Sequence, residues 1–152
     1  MKYQGCLLAV KDMATSKNFY ENVLAQKVVM DLGVHVSFEG FSLQQGFDEV
    51  IGISANSVKS KEHNFQLYFE LDDLDAVFEK MKSIPELQWV HEIKEYAWGQ
   101  RDFRVYDPDF HIIEIAESME SVVKRFLRQG MSVEEVSKKT MYPLDMLKQL
   151  IN

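Results

Sequence analysis

The sequence repeats one order of elements at a spacing of 61 residues, and this repeat constrains the fold more than any other feature. An apolar stretch, an aspartate and a helical pattern follow one another around Asp12, and the same order returns around Asp73. Thr15 or Ser16 is expected to cap the first of the two helices. A period near 60 residues is too long for a solenoid, so it favours two copies of one unit packed side by side.

Three short strand-like runs follow each predicted helix. In the first half they lie near residues 27–30, 34–40 and 41–46, separated by glycines. In the second half a strand FQLYFEL precedes the helix, and LQWVHEI, DFRVYD and HIIEIAE follow it. The sequence therefore predicts an α+β fold of two βαβββ modules, at about residues 1–60 and 61–117, whose mixed sheets curl into a cup.

Alternation along the second-half strands predicts one apolar and one mixed face. The apolar faces are expected to lie under the two helices. The mixed face is expected to carry Gln66, Tyr68, Glu70, Arg104 and Glu114. A sheet with one polar, aromatic-containing face is typical of a ligand-binding cup.

Charge and cysteine content exclude several classes of protein. The net charge is −7, which argues against a general nucleic-acid binder, because such a protein needs a basic face. The single cysteine, Cys6, excludes an internal disulfide framework and a cysteine-based zinc site. No apolar run approaches the length of a membrane span, and the first residues do not resemble a signal peptide. A cytoplasmic protein is expected.

The last quarter of the chain differs from the rest. Residues 1–116 carry 11 basic and 19 acidic residues, a charge of −8, whereas residues 117–152 carry 6 and 5, a charge of +1. The pattern of residues 118–152 predicts a helical extension. An apolar stripe indicates a first helix that ends at Gly130, and a capping box of Ser132 and Glu135 begins a second. A last helix is predicted over residues 143–151. Its helices resemble helix-turn-helix pairs, but the low charge argues against DNA recognition. Packing on the sheet rim or on a second subunit is expected instead. A homodimer is expected, formed through the tail or through an exposed sheet edge.

Two passages carry a resemblance to a known family. VKDMATSKNFYENVLAQKV near the start and WGQRDFRVYDPDFHIIEIAE near residue 115 resemble the vicinal oxygen chelate superfamily, which includes glyoxalase I, bleomycin and fosfomycin resistance proteins and extradiol dioxygenases. The resemblance covers residues 1 to about 117. It implies paired βαβββ modules around one site, in agreement with the repeat. Phe110 stands where the family often has glycine after Asp-Pro-Asp, so this turn must avoid a positive φ or accept strain.

The family usually holds a divalent metal in its cup, and the resemblance implies where the ligands would fall. The last-strand carboxylate is present as Glu114, but the first-strand histidine position falls on Gly5 and the second-module position on Gln66. A further position falls near residues 43–45, which offer no carboxylate or imidazole. One ligand of three or four remains, fewer than a catalytic ion needs. We therefore expect no cofactor.

The histidines of the sequence are the alternative sources of metal ligands. His91 is the additional metal candidate beside Glu114, although its face cannot be read from the sequence. His111 lies three residues from Glu114 on the same predicted strand and so is expected to point to the opposite face. His35 and His63 are expected in or beside turns, facing solvent.

Arg104 is the most informative member of the mixed face. A guanidinium on a central strand must be paired, and Glu114 and Glu70 are the candidate partners. It either holds a carboxylate or phosphate of a ligand through a two-pronged hydrogen bond, or forms an ion pair that only closes the cup. Glu114 is the candidate general base, if apolar neighbours raise its pKa.

The function predicted from these features is binding of a small polar molecule, expected to be anionic, in the sheet cup without the usual metal. The alternative is a metal-dependent glyoxalase-like lyase or isomerase. A second alternative is a protein-interaction module that acts through the helical tail.

Overall fold

A computed structural model describes residues 1–150 of the chain. The predicted end of the last helix at Ile151 lies outside the described residues. The chain forms two compact units, each of which contains one four-stranded sheet. The first unit comprises residues 1–65 and the short segment 106–112, and the second comprises residues 66–105 together with 113–150.

The first unit is a βαβββ unit with one additional helix. Its elements are β1 (Cys6–Val10), α1 (Met13–Asn18), a π-helical turn (Phe19–Val23), β2 (Met30–Asp31), β3 (His35–Ser37), β4 (Phe41–Gln45), α2 (Phe47–Ile51) and a 3-10 turn (Ala55–Ser57). The strand order is β1-β4-β3-β2, with β1 parallel to β4 and the other pairs antiparallel. The short edge strand β2 begins at Met30, so the run predicted at residues 27–30 lies slightly too early.

The second unit repeats the same order and continues into the tail. Its elements are β5 (Gln66–Leu71), α3 (Leu74–Lys82), β6 (Trp89–Glu95), β7 (Arg101–Tyr106), β8 (Ile112–Glu117), α4 (Met119–Arg128), α5 (Val133–Thr140) and α6 (Leu144–Leu150). Its strand order, β5-β8-β7-β6, corresponds strand for strand to that of the first unit. The prediction of an α+β fold from two βαβββ units is confirmed.

The two repeated aspartates begin the equivalent helices. Asp12 accepts the backbone N–H of Thr15, and Asp73 accepts that of Ala76, so each carboxylate caps its helix. The expectation that Thr15 or Ser16 is the cap was wrong, because the helix begins at Met13 and both residues lie within it. The repeat is thus a repeated capping signal between a strand and a helix.

Side-chain alternation places the apolar face of the second sheet under α3. Phe78 of α3 meets Trp89 and Phe103 with ring centroids 5.3 and 5.4 Å apart. Val105, Ile113 and Ile115 are buried with them. This core leaves the other face of the sheet to the polar residues.

The tail has an apolar cluster of its own within the second unit. Val122, Val123 and Phe126 of α4 pack with Val136 of α5 and Leu147 of α6. The capping box predicted at the start of α5 is present, and Gly130 follows α4 with a φ of +89°. Arg125 ties α4 to the preceding strand through Glu117, at 3.0 Å. The domain boundary at residue 117 stays a prediction.

Within the described residues, no helix has the length and apolar character needed to cross a bilayer.

Candidate functional site

The polar face of the second sheet brings together residues from all four strands. Alternation aims Gln66 of β5, Glu114 of β8 and Arg104 of β7 to the same side, and the strand order makes these strands neighbours. The turn at residues 107–110 joins β7 to β8, so that Arg104 and Glu114 lie opposite each other across a hairpin. His91 of β6 is the partner of Arg104 in the strand register. These strands therefore converge on Arg104.

Arg104 is the centre of a hydrogen-bonded network, called here the Arg104 network. Its other members are Gln66, His91, Tyr96, Asp102 and Glu114. Nε of Arg104 donates to Oε1 of Gln66 at 3.1 Å, and Nη2 donates to Oε2 of Glu114 at 2.6 Å. Nη1 donates to Nε2 of His91 at 2.9 Å and to the hydroxyl of Tyr96 at 2.6 Å. Four of the five guanidinium hydrogens are thus committed to protein groups.

Asp102 is the deepest acid of the network. Its side chain is 1% exposed, and Oδ2 lies 2.6 Å from Nη1 of Arg104. Since both Nη1 hydrogens point to His91 and Tyr96, this contact is an ion pair without an aligned hydrogen bond, and neither Asp102 oxygen accepts one from the described residues. One guanidinium therefore faces two carboxylates, Asp102 and Glu114, and the three groups together carry a formal charge of −1.

The pKa of the Glu114 carboxyl group is subject to opposing effects. Burial raises its pKa, Arg104 acts against this, and the adjacent Asp102 acts with burial, so that the net direction is upward. Gln66 also donates to Oε2 of Glu114. Of the two candidate partners of Arg104, Glu114 is the one that forms the ion pair.

Tyr68 and Glu70 form a second, outer group on β5. The Tyr68 hydroxyl donates to Glu70 and accepts from Nε2 of Gln100 at 3.0 Å. Burial and the hydrogen bond to Glu70 raise the pKa of Tyr68 to about 12. Gln100 also accepts from Nε1 of Trp98, whose ring stacks on Tyr96 at 4.6 Å. Tyr68 and Glu70 are exposed, and they do not hydrogen-bond directly to Arg104.

Sequence reasoning missed two members of the network and left a third open. Asp102 has the same strand parity as Arg104, a signal that was available in the alternation. Tyr96 lies beyond β6 and carried no signal. The face of His91 could not be read, because β6 changes register on both sides of this residue and a bulge breaks the alternation.

The other candidate residues lie elsewhere. Gln44, at the ligand position near residues 43–45, belongs to β4 of the first unit, where its Oε1 lies 2.9 Å from Nδ1 of His35. His35 begins β3 next to the bend at residues 33–34, and it is half-buried. His63 is exposed in a loop, where its ring nitrogen lies 2.7 Å from the Tyr106 hydroxyl.

His111 also differs from its prediction. It precedes β8, which begins at Ile112, and therefore lies in the turn rather than on the strand. Its ring bonds to Asp107, with Nδ1 2.8 Å from Oδ2. The parity argument against His111 does not apply, because a turn does not follow strand alternation.

The residues at the family's metal-ligand positions do not fit a transition metal. A Cβ at Gly5, whose φ is +128°, would lie 2.5 Å from the carbonyl oxygen of Gly40, so no ligating side chain fits there without moving the backbone. The amide of Gln66 is bonded at both ends, to Arg104 and to Glu114. Leu43 is apolar and buried, and the amide oxygen of Gln45 accepts the Met13 N–H at 2.9 Å.

Both ring nitrogens of His91, the additional metal-ligand candidate, are hydrogen-bonded within the protein. Its Nδ1 donates to the carbonyl oxygen of Glu92 at 2.8 Å, which leaves Nε2 as the acceptor that faces Arg104. A metal would have to displace the guanidinium to reach either His91 or Oε2 of Glu114. Across residues 1–150, no cluster of three or more histidine, cysteine, aspartate or glutamate side chains has the arrangement of a metal site.

Paired βαβββ units, with a charged polar face where the last-strand glutamate lies, define a protein of the vicinal oxygen chelate class. The family profile described as "Glyoxalase-like domain" matches residues 3–120. The chain therefore belongs to the glyoxalase-like domain family. No curated protein sequence matches it.

Solved structures agree with this assignment. A protein of unknown function from Agrobacterium tumefaciens str. C58 is 38% identical, with a TM-score of 0.69 over 78% of this chain and 94% of that one. A glyoxalase-related enzyme from Fulvimarina pelagi is 20% identical, with a TM-score of 0.64 over 78% and 90% of the two chains. A lactoylglutathione lyase from Agrobacterium tumefaciens is 21% identical, with a TM-score of 0.57 over 76% and 92%. The last two similarities concern the fold alone.

Proposed function

We propose that this glyoxalase-like protein binds a small polar molecule on the polar face of the second sheet, without a transition metal. The observation that carries the proposal is the layering of that face. Exposed hydrogen-bonding groups, the amide of Gln66, the hydroxyl of Tyr68 and the carboxylate of Glu70, lie outside a charged centre that is largely shielded from water. Polar groups with fixed partners and an accessible outer layer are what a small-molecule site requires.

The charges favour a neutral or cationic ligand over the anionic one expected from the sequence. That expectation required an available guanidinium, whereas Arg104 already faces Asp102 at 2.6 Å and Glu114 at 2.6 Å. An anion would have to compete with both carboxylates, and the exposed Glu70 would repel it further. A ligand that donates hydrogen bonds to Glu70 and Tyr68 meets no such opposition.

Binding without a metal is supported because the residues at the metal-ligand positions either lack a side chain or are already hydrogen-bonded within the protein. Gly5 cannot carry a ligand, and Gln66 and His91 present their acceptor atoms to Arg104. A metal-dependent lyase of the glyoxalase type needs about three protein ligands on one ion. The same groups are better used as a fixed hydrogen-bonding surface.

The experiment measures binding of named probes by isothermal titration. Bleomycin serves as a cationic probe, and the hemithioacetal of methylglyoxal and glutathione serves as an anionic probe and as the substrate of the rival lyase. We expect saturable bleomycin binding that Tyr68→Phe weakens several-fold, since one hydrogen bond contributes about 1 kcal/mol. Tyr3→Phe is the matched control, because Tyr3 is 82% exposed and its hydroxyl has no partner in the described part of the chain.

Two results contradict this proposal. The first is metal-stimulated turnover of the hemithioacetal, which would establish the lyase. The second is probe binding that Tyr68→Phe and Tyr3→Phe leave equally unchanged, which would move the site away from this face.

We also propose that the protein forms a homodimer through the edge of the first sheet. The edge strand β2 is flanked by three exposed apolar side chains, Val29, Leu32 and Val34, which are 71%, 64% and 58% exposed. An exposed apolar patch at a sheet edge is typical of an interaction surface. Sedimentation velocity is expected to give a dimer that Leu32→Lys converts to a monomer. A dimer that persists in Leu32→Lys would exclude this edge.

A further inference from the structure

The first unit contains a cavity that shares no residue with the Arg104 network. Its volume is about 330 Å³, and it lies where β1 ends, between α2, the segment that follows it and the turn at residues 109–111. One part of its wall is apolar, formed by Val10, Phe47 and Val58. The remainder carries Lys11, Lys59 and His111, together with the carboxylates of Asp48 and Asp109. A volume of this size accommodates a small organic molecule.

His111 is fixed in one orientation by a buried carboxylate. Nδ1 of His111 lies 2.8 Å from Oδ2 of Asp107, which also accepts from the hydroxyl of Tyr20 at 2.8 Å. Oδ1 of Asp107 accepts the backbone N–H groups of Asp109 and His111 at 3.0 and 2.8 Å. Asp107 is therefore saturated with donors and cannot turn away from the ring. Nε2 has no partner among the described residues, and His111 is one of the residues that line the cavity.

The charge on His111 follows from its surroundings. Burial lowers the pKa of the imidazole, but the hydrogen bond and the charge of Asp107, with a contribution from Asp109, outweigh this and raise the pKa. The ring thus keeps a donor on Nε2 over a wider range of pH than a free histidine does.

The turn that presents His111 is strained. Phe110 has a φ of +70°, a conformation that costs a non-glycine residue roughly 1 kcal/mol or more. Asp109 holds the turn in place, since its oxygens accept the backbone N–H of Lys11 at 2.9 Å and the hydroxyl of Ser16 at 2.7 Å. Strain of this kind persists only where surrounding contacts enforce it, and such positions occur often at functional sites. The same contacts engage the Asp109 carboxylate with the protein instead of the cavity.

The two lysines of the wall remain available. Neither Lys11 nor Lys59 forms an ion pair with any residue of the described chain. Asp48 is the opposing charge in the lining, and it favours a ligand that also carries a hydrogen-bond donor. Two free ammonium groups and an oriented imidazole beside an apolar wall match an oxyanion attached to an apolar group.

We propose that this cavity is a second ligand site, which binds a small organic oxyanion, either a carboxylate or a phosphate monoester. Nε2 of His111 donates to the oxyanion, and Lys11 and Lys59 supply the positive charge. The apolar part of the ligand packs on Val10, Phe47 and Val58. The site is independent of the proposed function on the second sheet, because it uses other residues and the opposite ligand charge.

Titrations followed by NMR test the site directly. Benzoate, inorganic phosphate and, as a matched cationic control, benzylamine are added separately while the His111 ring signals and the backbone amides are recorded. Benzoate is expected to shift the His111 signals saturably. The double substitution Lys11→Gln, Lys59→Gln is expected to weaken its binding by about tenfold, an equilibrium change of 1.4 kcal/mol. The control Lys138→Gln, Lys139→Gln removes the same charge from α5 and is expected to leave binding unchanged.

Substitutions of His111 separate its two ring nitrogens. An asparagine amide can replace the Nδ1 donor to Asp107 but does not reach the cavity, whereas a glutamine amide reaches toward the position of Nε2. His111→Gln is expected to retain more benzoate affinity than His111→Asn. Tighter binding of phosphate than of benzoate would identify phosphate esters as the source of the oxyanion, and the reverse would identify carboxylates.

Three results overturn the proposal. They are the absence of a saturable shift with both oxyanions, binding of benzylamine as tight as that of benzoate, and benzoate binding that the Lys11 and Lys59 substitutions leave intact. The lysine variants keep the test decisive if the His111 variants fold poorly, because both lysines are exposed.

Discussion

Removal of the Arg104 guanidinium is the most informative perturbation of the second sheet. The substitution Arg104→Met keeps much of the aliphatic side chain but leaves Asp102 and Glu114, which are 1% and 10% exposed, without their cation. Loss of one partner from a buried ion pair costs roughly 3–5 kcal/mol. Because the Arg104 side chain is 19% exposed, water can compensate in part, and we expect a loss of about 3 kcal/mol.

Urea unfolding measures this loss. Both tryptophans, Trp89 and Trp98, belong to the second unit, so their fluorescence reports on the part of the chain that is perturbed. With an m-value near 2 kcal/mol/M, a loss of about 3 kcal/mol moves the midpoint by roughly 1.5 M. Arg128→Met is the matched control, since Arg128 is exposed on α4 and has no ion pair with another described residue, and we expect a change below about 0.5 kcal/mol.

A second substitution distinguishes uncompensated charge from lost packing. In Arg104→Met, the further change Glu114→Gln removes one of the two stranded carboxylates and is expected to restore more than half of the lost stability. Lower pH is expected to act in the same direction, because a carboxyl with a raised pKa contributes stability when protonated and loses it as the pH rises through that pKa. A variant as stable as Arg128→Met, or a double variant less stable than Arg104→Met, would refute the reasoning.

Two further predictions concern the attachment of the tail within the second unit. Gly99→Ala is expected to destabilise the protein by about 2 kcal/mol more than Gly130→Ala: both glycines have a positive φ, but a Cβ at Gly99 would lie 2.2 Å from the ring of Phe126, whereas nothing lies within 4 Å at Gly130. Equal unfolding midpoints for the two variants would show that Phe126 moves freely. Burial raises the pKa of Glu117, but the hydrogen bonds and charges of Arg101 and Arg125 outweigh burial, so that the net shift is downward. The stabilising contribution of Glu117 is therefore present above pH 4.5 and is lost as the pH falls through the lowered pKa. Glu117→Gln is therefore expected to flatten the acid limb of the stability profile below pH 4.5, and an unchanged limb would assign acid unfolding to other groups.

Much of the fold was predictable because its signals are local. The aspartate that caps α1 and the one that caps α3 stand at equivalent positions, and each follows an apolar strand. A capping carboxylate and strand alternation act over a few residues, so they are written in short stretches of sequence. The additional helix α2 was not predicted, since its five residues are too few to establish a period.

The candidate site was predictable only as far as alternation holds. Arg104 and Glu114 lie on regular strands joined by a short turn, and their parity placed them on one face. His91 lies between two register shifts in β6, so parity could not place it. His111 lies just before β8 begins, so the parity argument did not apply to it. The ion pairs of Arg104 with both Asp102 and Glu114 depend on side-chain rotamers and on strand pairing. Neither can be read from the local sequence.

Metal content tests the central claim most directly. The protein is expressed with zinc, nickel, iron and manganese supplied, dialysed and subjected to elemental analysis, in parallel with Glu114→Ala. Since Gly5 admits no ligand and Arg104 occupies the acceptor atoms of Gln66, His91 and Glu114, we predict far less than one metal ion per chain and no difference between the two proteins. Close to one ion per chain, lost in Glu114→Ala, would contradict the account and establish a metal-dependent enzyme.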